Sequence, residues 1–223
     1  MNKAIFRQAL KDTIPVMTGY LVLGMGFGIV MCANGYGFLW SVAMSLFIYA
    51  GSMQYVAIGL FTGGVSLITV ALTTLAVNAR HLFYGISMID KYKNVGKTKP
   101  YLIFALTDET YSLVCHTDYG KTYDFLVSLM NHFYWVAGTA LGALIGSSVK
   151  FNTEGIDFAL TALFITVFTD QWLSSKKHLP AITGVVLSVL CLVLFGADRF
   201  LVPAMLAITA VLLLIKESRY VAK

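Results

Sequence analysis

From residue 13 to residue 79 the chain runs for 67 residues without an aspartate, glutamate, lysine or arginine. A soluble helix or strand needs a polar face toward water, so a charge-free stretch of this length has no place in a soluble fold. At roughly 20 residues per crossing it is long enough for three membrane-spanning helices. The rest of the chain agrees: 12% of its 223 residues are charged and 58% are hydrophobic, whereas a soluble domain carries about 25% charged residues. This composition excludes a soluble enzyme, a nucleic-acid module and a disordered chain. The net charge of +5 therefore reads as basic loop charge at a membrane face rather than a nucleic-acid footprint.

Eight apolar segments can be marked, at roughly 14–33, 38–60, 66–89, 101–115, 124–145, 156–173, 180–195 and 201–215. Short connections join them into one transmembrane domain over 1–223. The fold class expected is an all-α polytopic membrane protein. Lys3, Arg7 and Lys11 ahead of the first segment resemble a secretory signal, but that segment is too long for one and more follow, so it is read as a retained helix. Cys32, Cys115 and Cys191 are odd in number and form no C-x-x-C, which suggests neither a disulfide framework nor a metal site. No cofactor is expected. Gly24-x-Gly26-x-Gly28 and Gly138-x-x-x-Gly142-x-x-x-Gly146 read as close helix contacts in lipid.

The two halves of the chain, about 1–120 and 121–223, resemble one another. Residues 45–55 (SLFIYAGSMQY) line up with 162–172 (ALFITVFTDQW), so that Ser52 meets Thr169 and Gln54 meets Gln171. At a similar offset Gly24 and Gly28 meet Gly138 and Gly142. If all eight segments cross, lysines and arginines divide 9 to 6 between the two faces; if segments two and six dip in and return, they divide 13 to 2. The second division obeys the positive-inside rule far better, with the N-terminus cytoplasmic. It leaves three full crossings per half and predicts an inverted repeat with a broken or re-entrant segment in each half.

Polar residues inside the apolar segments mark a pathway. Gly51, Ser52 and Gln54 interrupt the second segment, and a helix broken there exposes backbone groups that can hold a substrate's charged ends. Thr169 and Gln171 are the matching positions, and Asn78 adds a polar group on the third segment. These six are the candidate substrate-binding residues. Arg80 in mid-membrane costs about 2.5–3.5 kcal/mol on insertion scales and needs a partner, either Asp108 or Glu109. Those two side chains point roughly 100° apart on a helix, so one can pair while the other lines a pathway. Arg80, His81, Asp108, Glu109 and Asp170 are the candidates for proton coupling or gating. The structural alternatives are a Ser–Gln pair bonding a neighbouring helix and a buried ion pair tying two helices together. His132, with Asn131, reads as a packing residue, and Trp40, Trp135 and Trp172 as packing or interface aromatics.

The strings at 49–55 (YAGSMQY), 77–85 (VNARHLFYG) and 105–110 (ALTDET) resemble the AzlC family of branched-chain amino-acid exporters. The resemblance runs over nearly the whole chain in length and segment order. It implies a secondary transporter that moves leucine, isoleucine and valine out of a bacterial cell across the inner membrane. It also implies a small hydrophobic AzlD-like membrane subunit as partner. The alternatives are a channel-like facilitator for small solutes and a non-transporting scaffold subunit. An enzyme is not expected, since no H-E-x-x-H or G-x-S-x-G motif occurs.

Overall fold

The computed structural model describes residues 3–115, 117–148, 165, 168–169, 172–173, 178–196 and 200–221. They belong to two units, Met1–Thr161 and Ala162–Lys223, which are taken in turn. In the first, helix α1 spans Lys3–Ala33, α2 Phe38–Phe47, α3 Gly51–Thr62, α4 Leu67–Asn78, α5 Arg80–Ser87, α6 Lys99–Phe104, α7 Asp108–Val114 and α8 Lys121–Ser148. Three of the expected apolar segments are thus each divided into two helices.

Helices α1 and α8 form the core of this unit and run parallel. Near their starts Tyr123 donates to Asp12 at 2.7 Å, and near their ends Cys32 Sγ lies 3.3 Å from the Ala143 carbonyl. Glycines let the two backbones meet. A Cβ at Gly24 would stand 2.9 Å from the Trp135 carbonyl, and one at Gly138 would stand 2.8 Å from that of Leu21. Gly28 and Gly142 are pressed more closely still, against Thr139 and Met25. The two glycine patterns seen in the sequence are therefore the two sides of one contact.

The remaining helices hang on this pair. α2 enters from the ends of α1 and α8 and reaches mid-height, where the Ser45 carbonyl meets His132 Nε2 at 3.3 Å. The chain turns at Tyr49, which sits at φ +45°, and α3 climbs back until Phe61 lies 5.6 Å from Tyr36 in the α1–α2 connection. A left-handed tyrosine is strained by about 1–2 kcal/mol. Its burial among Tyr20, Phe104 and His132 offsets this. α4 and α5 then descend as one path bent by 49° at Ala79. The α6–α7 pair enters from the opposite end. It turns at residues 105–107 and comes back, so that Lys91 after α5 bonds the Val114 carbonyl and lies 3.4 Å from Asp124 at the start of α8.

Two expectations need correcting. The fourth segment was expected to cross but forms a hairpin, because the Thr107 hydroxyl accepts from Thr110 N at 3.2 Å and starts a new helix at Asp108. Consequently the first and fifth segments run parallel, whereas an inverted pair of halves requires them antiparallel. The described residues do not carry an inverted repeat of 1–120 upon 121–223, nor eight full spans. Among them, α1 by itself is long and apolar enough to cross a membrane, and α4 with α5 makes a second span if the bent pair counts as one. α8 has the length, with 28 residues, but carries Ser128, Asn131, His132 and Thr139, all buried against protein.

The outer surface is apolar. Leu39, Phe47, Leu67, Ile68, Leu75, Leu82 and Phe133 are all more than half exposed, the pattern of a surface solvated by lipid. In the second unit, α9 (Leu179–Phe195) and α10 (Leu201–Val221) pack on one another. Phe168, Thr169 and Trp172 with Ile182, Val185 and Val186 line an apolar cavity of about 470 Å³.

Gly142→Val places a branched side chain against the Met25 backbone, and overpacking of this kind costs about 1–3 kcal/mol or more. Its melting temperature in detergent is expected to fall by several degrees, while Gly85→Ala, where a Cβ meets open space, is expected to melt like the parent.

Candidate functional site

The two hairpins meet tip to tip, with Tyr49 and Phe104 at 6.1 Å. Each tip brings the start of a half-helix to the middle of the unit. At α3 the cap position is Ala50, which has no side-chain acceptor to offer, so the first N–H groups and their partial positive charge stay available. Gly51 is required there for space, since a Cβ would stand 3.0 Å from the Trp135 ring. At α7 the opposite holds: Thr107 caps the helix and Asp108 and Glu109 occupy its first turn, complementing the dipole.

One guanidinium ties the tips together. The bend at Ala79 makes Arg80 the first residue of α5. From there Nη1 reaches Asp108 Oδ2 at 2.7 Å and Nη2 donates to Ser52 Oγ at 2.8 Å. Arg80 Nε and Asp108 Oδ1 are buried at this bridge with no protein hydrogen bond of their own. A donor on a cation and an acceptor on an anion, side by side and unspent, suit a ligand carrying both charges. Glu109 turns away from the bridge and accepts from the Tyr20 hydroxyl at 2.6 Å; that hydroxyl also lies 2.7 Å from Thr107 Oγ1.

Behind the tips stands a polar brace. Trp135 Nε1 donates to Gln54 Oε1 at 2.9 Å, Gln54 Nε2 donates to Ser45 Oγ at 3.0 Å, and Ser45 and Thr139 share a 2.7 Å hydrogen bond. His132 joins both hairpins, with Nε2 at the Ser45 carbonyl and Nδ1 3.1 Å from the Tyr101 hydroxyl.

Of the residues expected from sequence, Gly51, Ser52, Arg80, Asp108 and Glu109 come together at the tips. Asn78 ends α4, and its carbonyl lies 3.2 Å from His81 Nδ1 at the bend. Gln54 is fully buried with its carbonyl committed to Trp135, which makes it a brace. The helix break falls at residues 48–50, just ahead of Gly51. Thr169 belongs to the second unit, where its hydroxyl donates to the Ile165 carbonyl at 2.7 Å, an ordinary helix-internal bond unlike that of Ser52. Asp170 and Gln171 lie outside the described residues. Tyr20, Tyr49, Thr107 and Trp135 were not singled out as site residues. Their hydroxyls or N–H inside apolar segments were the available signal.

Removing one partner of a buried ion pair costs more than removing both. Arg80→Gln and Asp108→Asn are each expected to lower the melting temperature in detergent further than the double variant does.

The family model described as AzlC protein matches residues 15–149. The branched-chain amino acid transport protein AzlC of Bacillus subtilis (strain 168) is 48% identical over 97% of this chain and 89% of its own length. An uncharacterized membrane protein of Helicobacter pylori (strain ATCC 700392 / 26695) is 41% identical over 95% of both chains. The inner membrane protein YgaZ of Escherichia coli (strain K12) is 28% identical over 91% of this chain and 85% of its own. No solved structure gives a significant match. A family pattern that spans the glycine contact, both hairpins and the Arg80 bridge, together with relatives aligned nearly end to end, means that this chain belongs to the AzlC family.

Proposed function

We propose that this chain is a secondary transporter that exports branched-chain or other neutral hydrophobic amino acids across the bacterial inner membrane, coupled to protons. The observation that carries this reading is the Arg80–Asp108 bridge between two half-helix tips, each partner keeping one buried, unspent atom. The amino acid's carboxylate goes to Arg80, Ser52 and the open start of α3. Its ammonium goes to Asp108, and its aliphatic chain lies among the tip aromatics. Asn78 flanks this site, and Glu109 is the coupling carboxylate, with His81 at the bend as a gating residue. Thr169 and Gln171 stay candidate substrate-binding residues, and Asp170 a candidate for proton coupling or gating. The 48% identity to the branched-chain amino acid transport protein of Bacillus subtilis supports the substrate class. The family resemblance supports a small hydrophobic AzlD-like subunit as partner.

Charge supports the orientation. Lys3, Arg7, Lys11, Lys91, Lys93, Lys97, Lys99 and Lys121 all belong to the end where α1 and α8 begin, while the connections at 34–37 and 63–66 carry no charge. By the positive-inside rule that end is cytoplasmic, so the α6–α7 hairpin enters from the cytoplasm and the α2–α3 hairpin from outside. Opposed hairpins also suit a channel-like facilitator, the second reading.

In liposomes carrying the protein with and without its companion, saturable leucine counterflow is expected, and Arg80→Lys is expected to reduce it more than tenfold. Flux that rises linearly with concentration favours the facilitator, and no flux in either preparation sinks both readings. Lys121→Cys is expected to react with a membrane-impermeant thiol reagent from the cytoplasmic side alone.

A further inference from the structure

Seven buried side-chain atoms among the described residues of the first unit lack a protein hydrogen-bond partner, and they form two groups. Tyr49, Arg80 and Asp108 surround the hairpin tips. The other four, on Tyr92, Asp124, Ser128 and Asn131, lead from the tips toward the basic end. Asp124, Ser128 and Asn131 follow one another at four and three residues along α8, on a single stripe, and none is more than 1% exposed. A buried polar atom left unpaired costs about 1–3 kcal/mol. Ser128 Oγ and Asn131 Oδ1 are retained at that cost where leucine or alanine would avoid it, while Asp124 Oδ1 faces Lys91 Nζ. The rise from one to the next is about 6 Å and about 4.5 Å. A single water bridging two polar groups covers such a gap.

Both ends of the stripe continue. At its upper end Asn131 Nδ2 donates to Thr110 Oγ1 at 3.1 Å, Thr107 Oγ1 lies 3.0 Å from Thr110 Oγ1, and Tyr20 lies 2.7 Å from Thr107 and 2.6 Å from Glu109 Oε2. At its lower end Asp124 Oδ1 is 3.4 Å from Lys91 Nζ, which donates to the Thr117 carbonyl at 2.6 Å and is 21% exposed. Polar groups therefore run from Glu109 to the basic end, with gaps between Asp124, Ser128 and Asn131 that no protein hydrogen bond closes.

We propose that Asp124, Ser128 and Asn131 line a hydrated proton path from the basic end to Glu109, completed by the hydroxyls of Thr110, Thr107 and Tyr20. The path rests on the coupling role given to Glu109 above. Tyr20 is its switch: with one proton and two acceptors, it donates to Glu109 while that carboxylate is ionised. Once Glu109 takes a proton, the acid donates to Tyr20 and the phenol turns toward Thr107. Water in the gaps carries the proton past Asn131, whose amide orders that water without exchanging its own protons. Each water and hydroxyl accepts one proton and releases another, so the relays end unchanged and Glu109 ends neutral. The titratable and charged neighbours are Tyr20, Tyr49, Tyr84, Asp108 and Arg80 around Glu109, and Lys91, Tyr92, Asp118 and Tyr123 around Asp124, with Tyr123 donating to Asp12 on α1.

The test compares two modes of transport in liposomes: leucine–leucine exchange, which needs no net proton movement, and leucine uptake driven by a pH gradient. Ser128→Val fills the stripe with an apolar side chain, and Asp124→Asn removes its carboxylate. Both are expected to cut gradient-driven uptake at least tenfold with exchange within twofold of the parent, whereas Ser128→Ala, which leaves room for water, is expected to retain most of it. Gradient-driven uptake at the parental rate in Ser128→Val and Asp124→Asn overturns the path, and so does an equal loss of both modes. Exchange without any proton-linked uptake in the parent protein removes the coupling reading and this path with it. An absence of exchange in the parent instead strikes at the transport reading itself.

Discussion

The close parallel contact of α1 with α8 is the constraint on which the rest of this unit depends. Two helices that meet backbone to backbone through Gly24, Gly28, Gly138 and Gly142 leave no room for side chains on that seam. In lipid, where apolar side chains gain little by leaving one apolar environment for another, such packing is the main source of helix association. The seam fixes the rotation of α8, and that rotation turns Trp135, His132, Asn131, Ser128 and Asp124 inward. Gln54 and Ser45 in one hairpin and Tyr101 and Thr110 in the other are braced by this one helix face or by a group bonded to it.

Two hairpins then enter from opposite ends and stop at the same depth. Neither half-helix could end there without satisfying its backbone, since a bilayer core offers no water. The two solutions differ. α7 is closed by Thr107 and its own carboxylates, and so carries negative charge inward; α3 is left open, with Arg80 and Ser52 beside it. This inequality gives the site a cationic side and an anionic side that meet at the 2.7 Å Arg80–Asp108 contact. It also means the guanidinium is held by both hairpins at once, so movement of either tip alters the other's charge environment.

Much of this was legible from residue types. The need of Arg80 for a carboxylate follows from the cost of an unpaired charge in lipid, and Asp108 meets it. The interruption near Gly51 was visible in its composition. The turn itself begins at Tyr49, a residue whose left-handed conformation no local rule favours and which tertiary packing alone holds. Gln54 looked like a ligand because a buried amide needs partners; that Trp135 and Ser45 supply them depends on α8 lying where the glycine seam puts it. The hairpin at 99–114 was not foreseen, since Asp108 and Glu109 read as charges within one helix rather than as the start of another.

The sequence by itself determined that the chain is helical, lives in lipid and keeps its few charges for one end and one central point, because composition and charge placement set solvation energy whatever the path. Its glycine spacing also determined that two helices would touch. Only the tertiary structure decided that these helices run the same way, that the fourth segment turns back, and that Glu109 faces Tyr20 while Asp108 faces Arg80. Direction and facing depend on which surfaces are left over once the backbone seam has formed, and a linear pattern of apolar residues reads the same whether a segment crosses or returns.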